Sequence, residues 1–248
     1  MKNIRALCFD VGWTMAYPER SVWDIFAELC TEAGAPTEPH ACEHLVRGLA
    51  RLGSERAEER FRGGAQYPDS DTEFAGVFAQ MGQLIFAQMG VERGYDELMQ
   101  RFLQAFWNER NWTAFPEVLD VLRRLRERGM RVGVLSNAPS DLPSFLERLG
   151  VAPYLDFAVV SAIEGIKKPD RRIFEVAVAR AGVDASAIMH VGDMYLEDIL
   201  GGRAAGLNAL LIERGRRALF PSFRESEGRP LAPQHVVGDL HDVLARLG

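Results

Sequence analysis

Short apolar segments alternate with amphipathic segments from residue 115 to the end of the chain, and this alternation constrains the fold more than any other feature. The apolar segments are typical of strands buried on both faces, and the others are typical of helices with one buried face. Together they predict a doubly wound α/β fold, a parallel sheet with helices on both sides. The predicted strands are residues 4–9, 130–135, 157–160, 188–191, 209–212 and 235–237, and the predicted helices include residues 142–149, 171–181, 195–205 and 240–247.

Residues 17–112 show a different pattern, with long amphipathic stretches and little strand-like alternation. Val22, Ile25, Phe26 and Leu29 recur at i, i+3, i+4 and i+7, which predicts a helix with one buried face. Further apolar stripes with helical spacing are Leu45, Leu49 and Leu52; Phe74, Val77, Phe78, Met81, Leu84 and Ile85; and Leu98, Phe102 and Phe106. This part of the chain is therefore predicted to be helical.

The order of the two patterns predicts the domain organisation. The first strand is separated from the other strands by the helical segment, so the simplest topology is an insertion after strand one. We expect a Rossmann-like core of residues 1–15 and 114–248, with an inserted all-helical cap domain of residues 16–113. Right-handed crossovers place the carboxyl ends of parallel strands along one edge, where ligands bind in such sheets.

Charge and hydropathy exclude several classes of partner. The 29 basic and 35 acidic residues give a net charge of −6 and a pI near 5.5, which argues against a nucleic-acid partner. No stretch approaches the roughly 20 apolar residues needed to cross a bilayer, so no membrane is expected. A negatively charged protein repels phosphorylated small molecules, so a site for one needs local positive charge or a metal ion.

Cysteine usage predicts the cellular compartment. Cys8, Cys30 and Cys42 are scattered and odd in number, so no disulfide framework is indicated. The N-terminal apolar run is too short for a signal-peptide core and ends at Asp10. Both observations favour a reducing compartment, and we expect a cytoplasmic protein.

Polar side chains follow four of the predicted strands. They are Asp10 and Thr14 after the first strand, Ser136 and Asn137 after the second, Lys168 after the third, and Asp193 and Asp198 after the fourth. Carboxylate and carbonyl oxygens are the ligands that Mg²⁺ prefers, and an aspartate can also act as a covalent nucleophile. Because these strand ends share one edge, the sequence predicts a divalent-cation site beside an oxyanion site.

These motifs, in this order and spacing, resemble the haloacid dehalogenase superfamily, in particular its branch with a helical cap inserted after the first strand. The likeness of the core is carried by the four motifs, and that of the cap by its position and helical pattern. The resemblance implies a Mg²⁺-dependent hydrolase, a phosphatase of small phosphorylated metabolites. The sequence indicates neither the particular substrate nor the oligomeric state.

The resemblance assigns catalytic and metal-binding roles by position. Asp10 is implied as the nucleophile that forms an aspartyl-phosphate, with its second oxygen on Mg²⁺. Lys168 neutralises charge on the phosphate and on Asp10. The implied metal site also includes the backbone carbonyl of Gly12 and the carboxylate of Asp193, with Asp198 holding a metal-bound water.

Three residues are implied on the substrate side. Ser136 hydrogen-bonds the phosphoryl group, and Asn137 supports the turn that carries it. Thr14 matches the threonine of the family's first motif and is expected to orient the loop after the first strand.

Gly12 departs from the pattern of the family's phosphatases, which usually carry a second Asp two residues after the nucleophile. That residue acts as general acid and base, and such a group contributes roughly 10²–10⁴ in rate. A glycine keeps the backbone carbonyl for metal binding but lacks the proton carrier. We therefore expect slow turnover, or a restriction to substrates with good leaving groups.

Three other functions were weighed against a phosphatase. A 2-haloacid dehalogenase is compatible with Gly12 but needs no metal, whereas Asp193 belongs to metal-dependent members. A phosphonate hydrolase needs a cap lysine, and residues 16–113 contain none. A catalytically weak protein that binds a phosphorylated metabolite or another partner is favoured by Gly12.

Several other polar and aromatic residues have two interpretations. His40 and His44 have a spacing that a zinc site can use, but an exposed helix face is the favoured interpretation. His190 is expected to be a hydrogen-bonded core histidine. Trp13 and Tyr17 are placed either to line a pocket under the cap or to pack at its hinge.

Basic residues near the strand ends are expected in solvent. Lys167, next to Lys168, is predicted to be exposed. Arg214, Arg216 and Arg217 follow the fifth core strand, and exposure is favoured over contact with substrate.

Overall fold

The computed structural model describes residues 3–215 and 232–247 of the 248-residue chain. Its strands are β1 (Ala6–Phe9), β2 (Ala16–Pro18), β3 (Trp112–Ala114), β4 (Arg131–Ser136), β5 (Phe157–Val160), β6 (Ile188–Gly192), β7 (Asn208–Ile212) and β8 (Val236–Val237). Within the described ranges, six of them form one parallel sheet in the order β5-β4-β1-β6-β7-β8. This order confirms the predicted doubly wound parallel sheet, and the predicted strand boundaries lie within two residues of the observed ones.

Helices pack on both faces of the sheet. The helices of the described residues are α1 (Val22–Glu32), α2 (Pro39–Arg62), α3 (Asp71–Gln88), α4 (Tyr95–Phe106), α5 (Val118–Glu127), α6 (Leu142–Arg148), α7 (Ser161–Glu164), α8 (Arg171–Ala181), α9 (Gly201–Ala204) and α10 (Leu240–Leu247). Helices α5, α6 and α10 share a core with one face, and α8 shares a core with the other. The helix predicted at residues 195–205 differs in detail, because it begins with a π-helical turn, Tyr195–Leu200.

The central strand β1 shows why its sequence is continuously apolar. Successive side chains of a strand point to opposite faces of the sheet. Leu7 and Phe9 belong to the core under α5, whereas Ala6 and Cys8 belong to the core under α8. All four are fully buried, so the strand needs apolar side chains on both faces.

Helices α1 to α4, here called the helical module, have a hydrophobic core of their own. Phe26 and Phe102 are stacked at its centre, with ring centroids 4.2 Å apart. The stripes predicted for α1 and α4 are buried as expected. The stripe predicted for α3 is wrong in part, because Val77 and Leu84 are 54% and 44% exposed. These two side chains lie outside the face of α3 that packs against the other helices of the module.

A two-stranded antiparallel ribbon connects the helical module to the sheet. Strands β2 and β3 pair with Ala16 opposite Ala114 and Pro18 opposite Trp112. The ribbon stands where the chain leaves the sheet after β1 and where it returns before α5. Sequence analysis missed it because strands of three residues are too short to show a period of two.

Arg214 is buried, which contradicts the expectation that it is exposed. Its guanidinium donates to Glu117 Oε1 at 2.5 Å and to the carbonyl of Thr14, and its Cζ lies 3.7 Å from the centroid of the Phe115 ring. Burial is favoured because the ion pair and the aromatic face together replace the water around the cation. The contacts tie the loop after β7 to the loop after β1 and to the start of α5. Arg216 and Arg217 lie outside the described residues.

The described part of the chain contains no helix that is both long enough and apolar enough to cross a membrane. Cys8, Cys30 and Cys42 are all described, and all three are buried thiols without a disulfide. His40 and His44 are exposed on α2, as the favoured interpretation predicts.

The pair of Glu117 and Arg214 predicts a pH-dependent contribution to stability. Burial alone raises the pKa of Glu117, but hydrogen bonds from Arg214 and from backbone amides hold it below its ordinary value. A carboxylate whose pKa is lower in the folded state stabilises the fold above its unfolded pKa of about 4.3. That stabilisation is lost as the pH falls through the folded pKa.

We therefore expect Glu117→Gln to lower the free energy of unfolding at pH 7 by about 1.5–3 kcal/mol, the range for a hydrogen bond to a charged group. Urea unfolding at several pH values measures this, and the difference from wild type should shrink below pH 4. The control is Glu127→Gln at the exposed end of the same helix, where a change under about 0.5 kcal/mol is expected. A Glu117→Gln effect that does not change with pH contradicts this account.

Candidate active site

Asp10 directly follows β1, at the carboxyl edge of the sheet. Its side chain is buried, and two donors contact the same oxygen. Ser136 Oγ donates to Asp10 Oδ1 at 3.0 Å, and Lys168 Nζ donates to it at 2.8 Å. The parallel pairing of β1 with β4 brings the ends of the two strands together, which places Ser136 beside Asp10.

Lys168 bridges two buried carboxylates. Its ammonium donates to Asp10 and, at 2.6 Å, to Asp198 Oδ1. The residue is only 3% exposed, so its charge depends on these partners rather than on water. Burial lowers the pKa of Lys168, but attraction to the two carboxylates outweighs burial and raises it above its ordinary value.

Asp198 is held by three donors. Besides Lys168, the amide of Met194 donates to Oδ2 at 2.9 Å, and Nε2 of His190 lies 2.8 Å from Oδ1. Burial would raise the pKa of Asp198, but attraction to Lys168 and the hydrogen bond with His190 hold it below its usual range. Through these contacts Asp198 positions the ammonium of Lys168. The role of Asp198 in holding a metal-bound water stays a prediction.

His190 is the hydrogen-bonded core histidine that the sequence predicts. It lies in β6 and is fully buried, with Nδ1 3.0 Å from the carbonyl of Cys8 and Nε2 facing Asp198. Sequence analysis did not predict its contact with Asp198. The apolar pattern of a strand does not indicate which residue of the following loop or helix a buried histidine contacts.

Gly192 explains how Asp198 comes so close to the sheet. A Cβ placed on Gly192 would lie 2.1 Å from the carboxyl carbon of Asp198, which is far inside van der Waals contact. The π-helical turn that carries Asp198 therefore folds back over a position where only glycine fits.

Asn137 lines the cavity and also fixes the loop that carries Lys168, whereas Thr14 is not among the lining residues. The side chain of Asn137 donates to the carbonyl of Lys168 at 3.1 Å and accepts from its amide at 2.8 Å, which ties the two loops together. Thr14 is fully buried, and its hydroxyl has no hydrogen-bond partner among the described residues. The structure therefore does not place the Thr14 side chain on the substrate side. The contact between Thr14 and Arg214 is made by the backbone carbonyl of Thr14, which accepts from the guanidinium.

Asp193 lies next to Asp10 at the same edge, and both line the cavity. Burial raises the pKa of Asp193 well above its ordinary value, and repulsion from Asp10 and Asp198 adds to this. Burial likewise raises the pKa of Asp10, against the attraction of Lys168. Two desolvated carboxylates that repel each other fit a shared cation.

The donor set fits Mg²⁺ better than a softer metal. Across residues 3–215 and 232–247, no group of three or more His, Cys, Asp or Glu side chains could hold a metal ion. Asp10 and Asp193 would supply two carboxylates and Gly12 a carbonyl. Mg²⁺ usually keeps several waters and needs only one or two carboxylates from the protein.

Glu197 is a site residue to which the sequence assigned no role. It lines the cavity with Asp10 and Asp193. Burial, with repulsion from Asp198, raises the pKa of Glu197 to about 7. Its position directly before Asp198 in the same acidic motif was the available signal.

A cavity of about 630 Å³ opens beside Asp10, between the sheet edge and the helical module. This volume lies within the roughly 300–1,000 Å³ of small-molecule sites. Trp13 fits both of its interpretations, because it lines the cavity and also packs against Trp112 of the ribbon. Tyr17 packs against Phe115, with ring centroids 4.6 Å apart, and is not among the lining residues. Most of the wall is aromatic or aliphatic, and Asp71, Ser140 and Arg148 add polar groups to those around Asp10.

The segment before α3 fastens the helical module to the loop that carries Lys168. The amide of Lys167 donates to the carbonyl of Tyr67 at 2.9 Å, and the amide of Asp69 donates to the carbonyl of Gly165 at 3.1 Å. The ammonium of Lys167 lies 3.4 Å from the buried carboxylate of Asp69. Lys167 is therefore half-buried, and the prediction that it is exposed is wrong.

Comparison with known proteins agrees with this geometry. The sequence signature of the haloacid dehalogenase-like hydrolases matches residues 4–206. The chain therefore belongs to the haloacid dehalogenase-like hydrolase family.

Two curated relatives and one solved structure illustrate the likeness. Haloacid dehalogenase-like hydrolase domain-containing protein 3 of Danio rerio is 28% identical over 98% of this chain and 96% of its own length. A phosphoserine phosphatase of Thermus thermophilus is 32% identical over 60% of this chain and 58% of its own length. A crystal structure of a dehalogenase with an intermediate complex covers 100% of this chain and 98% of that one, with a TM-score of 0.68 at 22% identity, which shows the shared fold.

The repulsion at Asp193 predicts how Mg²⁺ affects stability. Wild-type protein should gain about 5–10 °C in Tm at Mg²⁺ concentrations a hundredfold above Kd. Asp193→Asn should lose most of this gain, and its metal-free form should melt at the same temperature as wild type or higher, because a repelling charge is removed. Thermal unfolding with Mg²⁺ and with chelator measures both effects.

The control is Asp184→Asn, an exposed aspartate before β6 at the opposite edge of the sheet, which should keep the full gain. A full Mg²⁺ gain in Asp193→Asn would show that the cation binds elsewhere.

Proposed function

We propose that this protein is a Mg²⁺-dependent phosphatase of small phosphorylated molecules that works through an aspartyl-phosphate on Asp10. The observation that carries the proposal is the buried Asp10 carboxylate, held by Lys168 and Ser136 beside Asp193 at the inner end of a cavity. The phosphoserine phosphatase among the relatives supports the reaction class. The helical module would act as the cap over this site.

In the first step, a carboxylate oxygen of Asp10 attacks phosphorus, and the bond from phosphorus to the substrate oxygen breaks. Lys168 contributes by holding Asp10 in place and by placing positive charge where the phosphoryl oxygens arrive. Ser136 can turn its hydroxyl from Asp10 to a phosphoryl oxygen. When bound, Mg²⁺ would supply further positive charge between Asp10, Asp193 and the phosphoryl group.

In the second step, water attacks phosphorus, the bond to Asp10 breaks, and inorganic phosphate leaves. In many such reactions a carboxylate protonates the departing oxygen and later takes the proton of the attacking water, but none stands at position 12. The leaving group therefore departs as an anion that takes its proton from solvent, and the attacking water releases its proton to the phosphate or to solvent. This requirement favours substrates whose leaving oxygen is weakly basic.

A dehalogenase is the second candidate, and Gly12 is the observation that favours it. The two functions separate by their need for metal. Phosphate release that requires Mg²⁺ supports the phosphatase, whereas halide release from a 2-haloacid in excess chelator supports the dehalogenase.

We also propose a cytoplasmic location and a small molecule as the partner, with neither nucleic acid nor membrane involved. Three buried free thiols support a reducing compartment, and the net charge of −6 opposes nucleic-acid binding.

Replacing the nucleophile tests the proposed reaction. Asp10→Asn should lower phosphatase activity to background, because an amide oxygen cannot form the covalent intermediate. The assay is release of phosphate from acetyl phosphate and 4-nitrophenyl phosphate, with and without Mg²⁺. Asp184→Asn makes the same chemical change at the opposite edge of the sheet, outside the cavity, and should keep activity within a few-fold. Near-wild-type rates in folded Asp10→Asn contradict the mechanism.

Restoring an acid at position 12 tests the account of Gly12. Its backbone lies outside the left-handed region, and a Cβ there would have Trp112 as its nearest neighbour at 4.0 Å, so a side chain fits. Gly12→Asp should raise kcat on alkyl phosphates by up to about 10²–10⁴ and on aryl phosphates much less.

The matched control for this change is Gly12→Asn, which has the same size but no acid and should give no rescue. If wild type already hydrolyses alkyl and aryl phosphates equally fast with chemistry rate-limiting, another proton donor is present and the account of Gly12 is wrong.

A further inference from the structure

The cavity beyond Asp10 is walled by aromatic rings from both parts of the molecule. The rings that the argument uses are Trp13, Phe74, Phe78, Phe106, Trp107 and Trp112. They come from the loop after β1, from adjacent turns of α3, from the end of α4 and from β3. Stretches far apart in the chain thus converge on one apolar chamber.

The rings support each other's positions. Trp107 and Trp112 are stacked with centroids 5.6 Å apart and an angle of 5° between their planes. Trp13 meets the edge of Trp112 at 5.4 Å, and Phe78 lies 6.4 Å from Phe106. Such contacts contribute about 0.5–1.5 kcal/mol each beyond burial, so the wall is formed before a ligand arrives.

This wall also leaves aromatic surface uncovered. Trp107 is 36% exposed, and Phe74 and Phe78 are only half-buried, although all three touch other rings. Concentrated exposed apolar surface of this kind typically marks a binding site, because covering it with an apolar group is favourable.

Both cations of the described cavity lining have partners within the protein. Among the described residues that line it, the cations are Lys168, which contacts two carboxylates, and Arg148, whose Cζ lies 5.9 Å from the Phe145 ring centroid. At the far end, both oxygens of Asp71 accept hydrogen bonds from Ser140, at 2.8 and 2.6 Å. Away from Asp10, Arg148 is thus the one cation among the described residues that line the cavity.

We propose that the phosphorylated substrate carries an aromatic ring on the leaving oxygen, so that the substrate class is the phosphate monoester of a phenol. The inference rests on the proposed function for the phosphate end and deepens it. Two independent features agree on this class. The aromatic wall suits a planar ring, and the lack of an acid at Gly12 favours the weakly basic oxygen that a phenol provides.

A quaternary ammonium group is the rival occupant, because aromatic cages also bind such cations. The phosphate ester of an aminoalcohol has a strongly basic alkoxide as its leaving group, and Gly12 supplies no acid to protonate it. The chemistry at the Asp10 end thus favours the neutral ring.

Ligand binding tests the inference without relying on turnover. Three of the chain's four tryptophans, Trp13, Trp107 and Trp112, line the cavity, so intrinsic fluorescence reports its occupation. The probes are phenylphosphonate, methylphosphonate and phosphocholine, each titrated into the whole protein with Mg²⁺. Phenylphosphonate should bind roughly 10- to 150-fold more tightly than methylphosphonate, the fold-change expected for burying one phenyl group. Equal affinities, no saturable binding of phenylphosphonate, or tighter binding of phosphocholine would overturn the proposal.

Two variants locate the ring. Phe78→Ala should weaken phenylphosphonate binding by roughly 2- to 12-fold and leave methylphosphonate binding unchanged. The control is Val77→Ala on the same helix, which is exposed and outside the cavity and should bind both probes like wild type. Phe74→Ala repeats the test one turn earlier if Phe78→Ala melts below the assay temperature. A phenyl preference that survives in both folded phenylalanine variants places the ring elsewhere and overturns the assignment.

The two proposals fail in different ways. If the protein binds phenylphosphonate selectively but hydrolyses no phosphate ester, the aromatic site is supported and the proposed function is wrong. If it hydrolyses acetyl phosphate through Asp10 but shows no preference for the phenyl group, the proposed function is supported and the aromatic substrate class is wrong.

Discussion

The candidate active site depends on one interaction, the contact of the buried Lys168 ammonium with the carboxylates of Asp10 and Asp198. A charge this far from water is stable only when its partners stand at hydrogen-bond distance. Each partner is in turn held by other groups, Asp10 by Ser136 and Asp198 by His190. Removing Lys168 would leave two buried carboxylates without their shared cation, so the geometry of the site depends on this residue above all.

The scaffold around this network explains how such a site is built at one edge. The sheet is buried on both faces, and pairing of β1 with β4 and β6 brings three strand ends together. The loops beyond those ends are then fixed by polar contacts, Asn137 to the Lys168 backbone and Arg214 to Glu117 and the Thr14 carbonyl. Hydrophobic burial determines where the strands lie, and hydrogen bonds determine the positions of the loops that follow them.

The cavity joins two environments that suit two parts of one ligand. Its inner end holds Asp10, Asp193 and Lys168, where the phosphoryl group and the divalent cation of the proposed reaction would bind. Its outer part is walled by aromatic rings such as Trp107 and Phe78, where water is easily displaced. Gly12 also lines the cavity, and in the proposed reaction its lack of an acid and the aromatic wall favour the same kind of leaving group.

The sequence by itself determined the parallel sheet, the helical insertion and the order of polar residues at the strand ends, because burial on both faces and helical periodicity are local patterns. Tertiary structure alone decided the β2–β3 ribbon, the burial of Arg214, the half-burial of Lys167, the contact of His190 with Asp198 and the inward turn of Thr14. Most of these contacts join residues far apart in the chain, and even the His190 contact depends on how a helical turn folds back over its strand. Tertiary packing decides whether a polar side chain contacts water or another side chain, and the hydrophobic periodicity of the sequence contains no information about this.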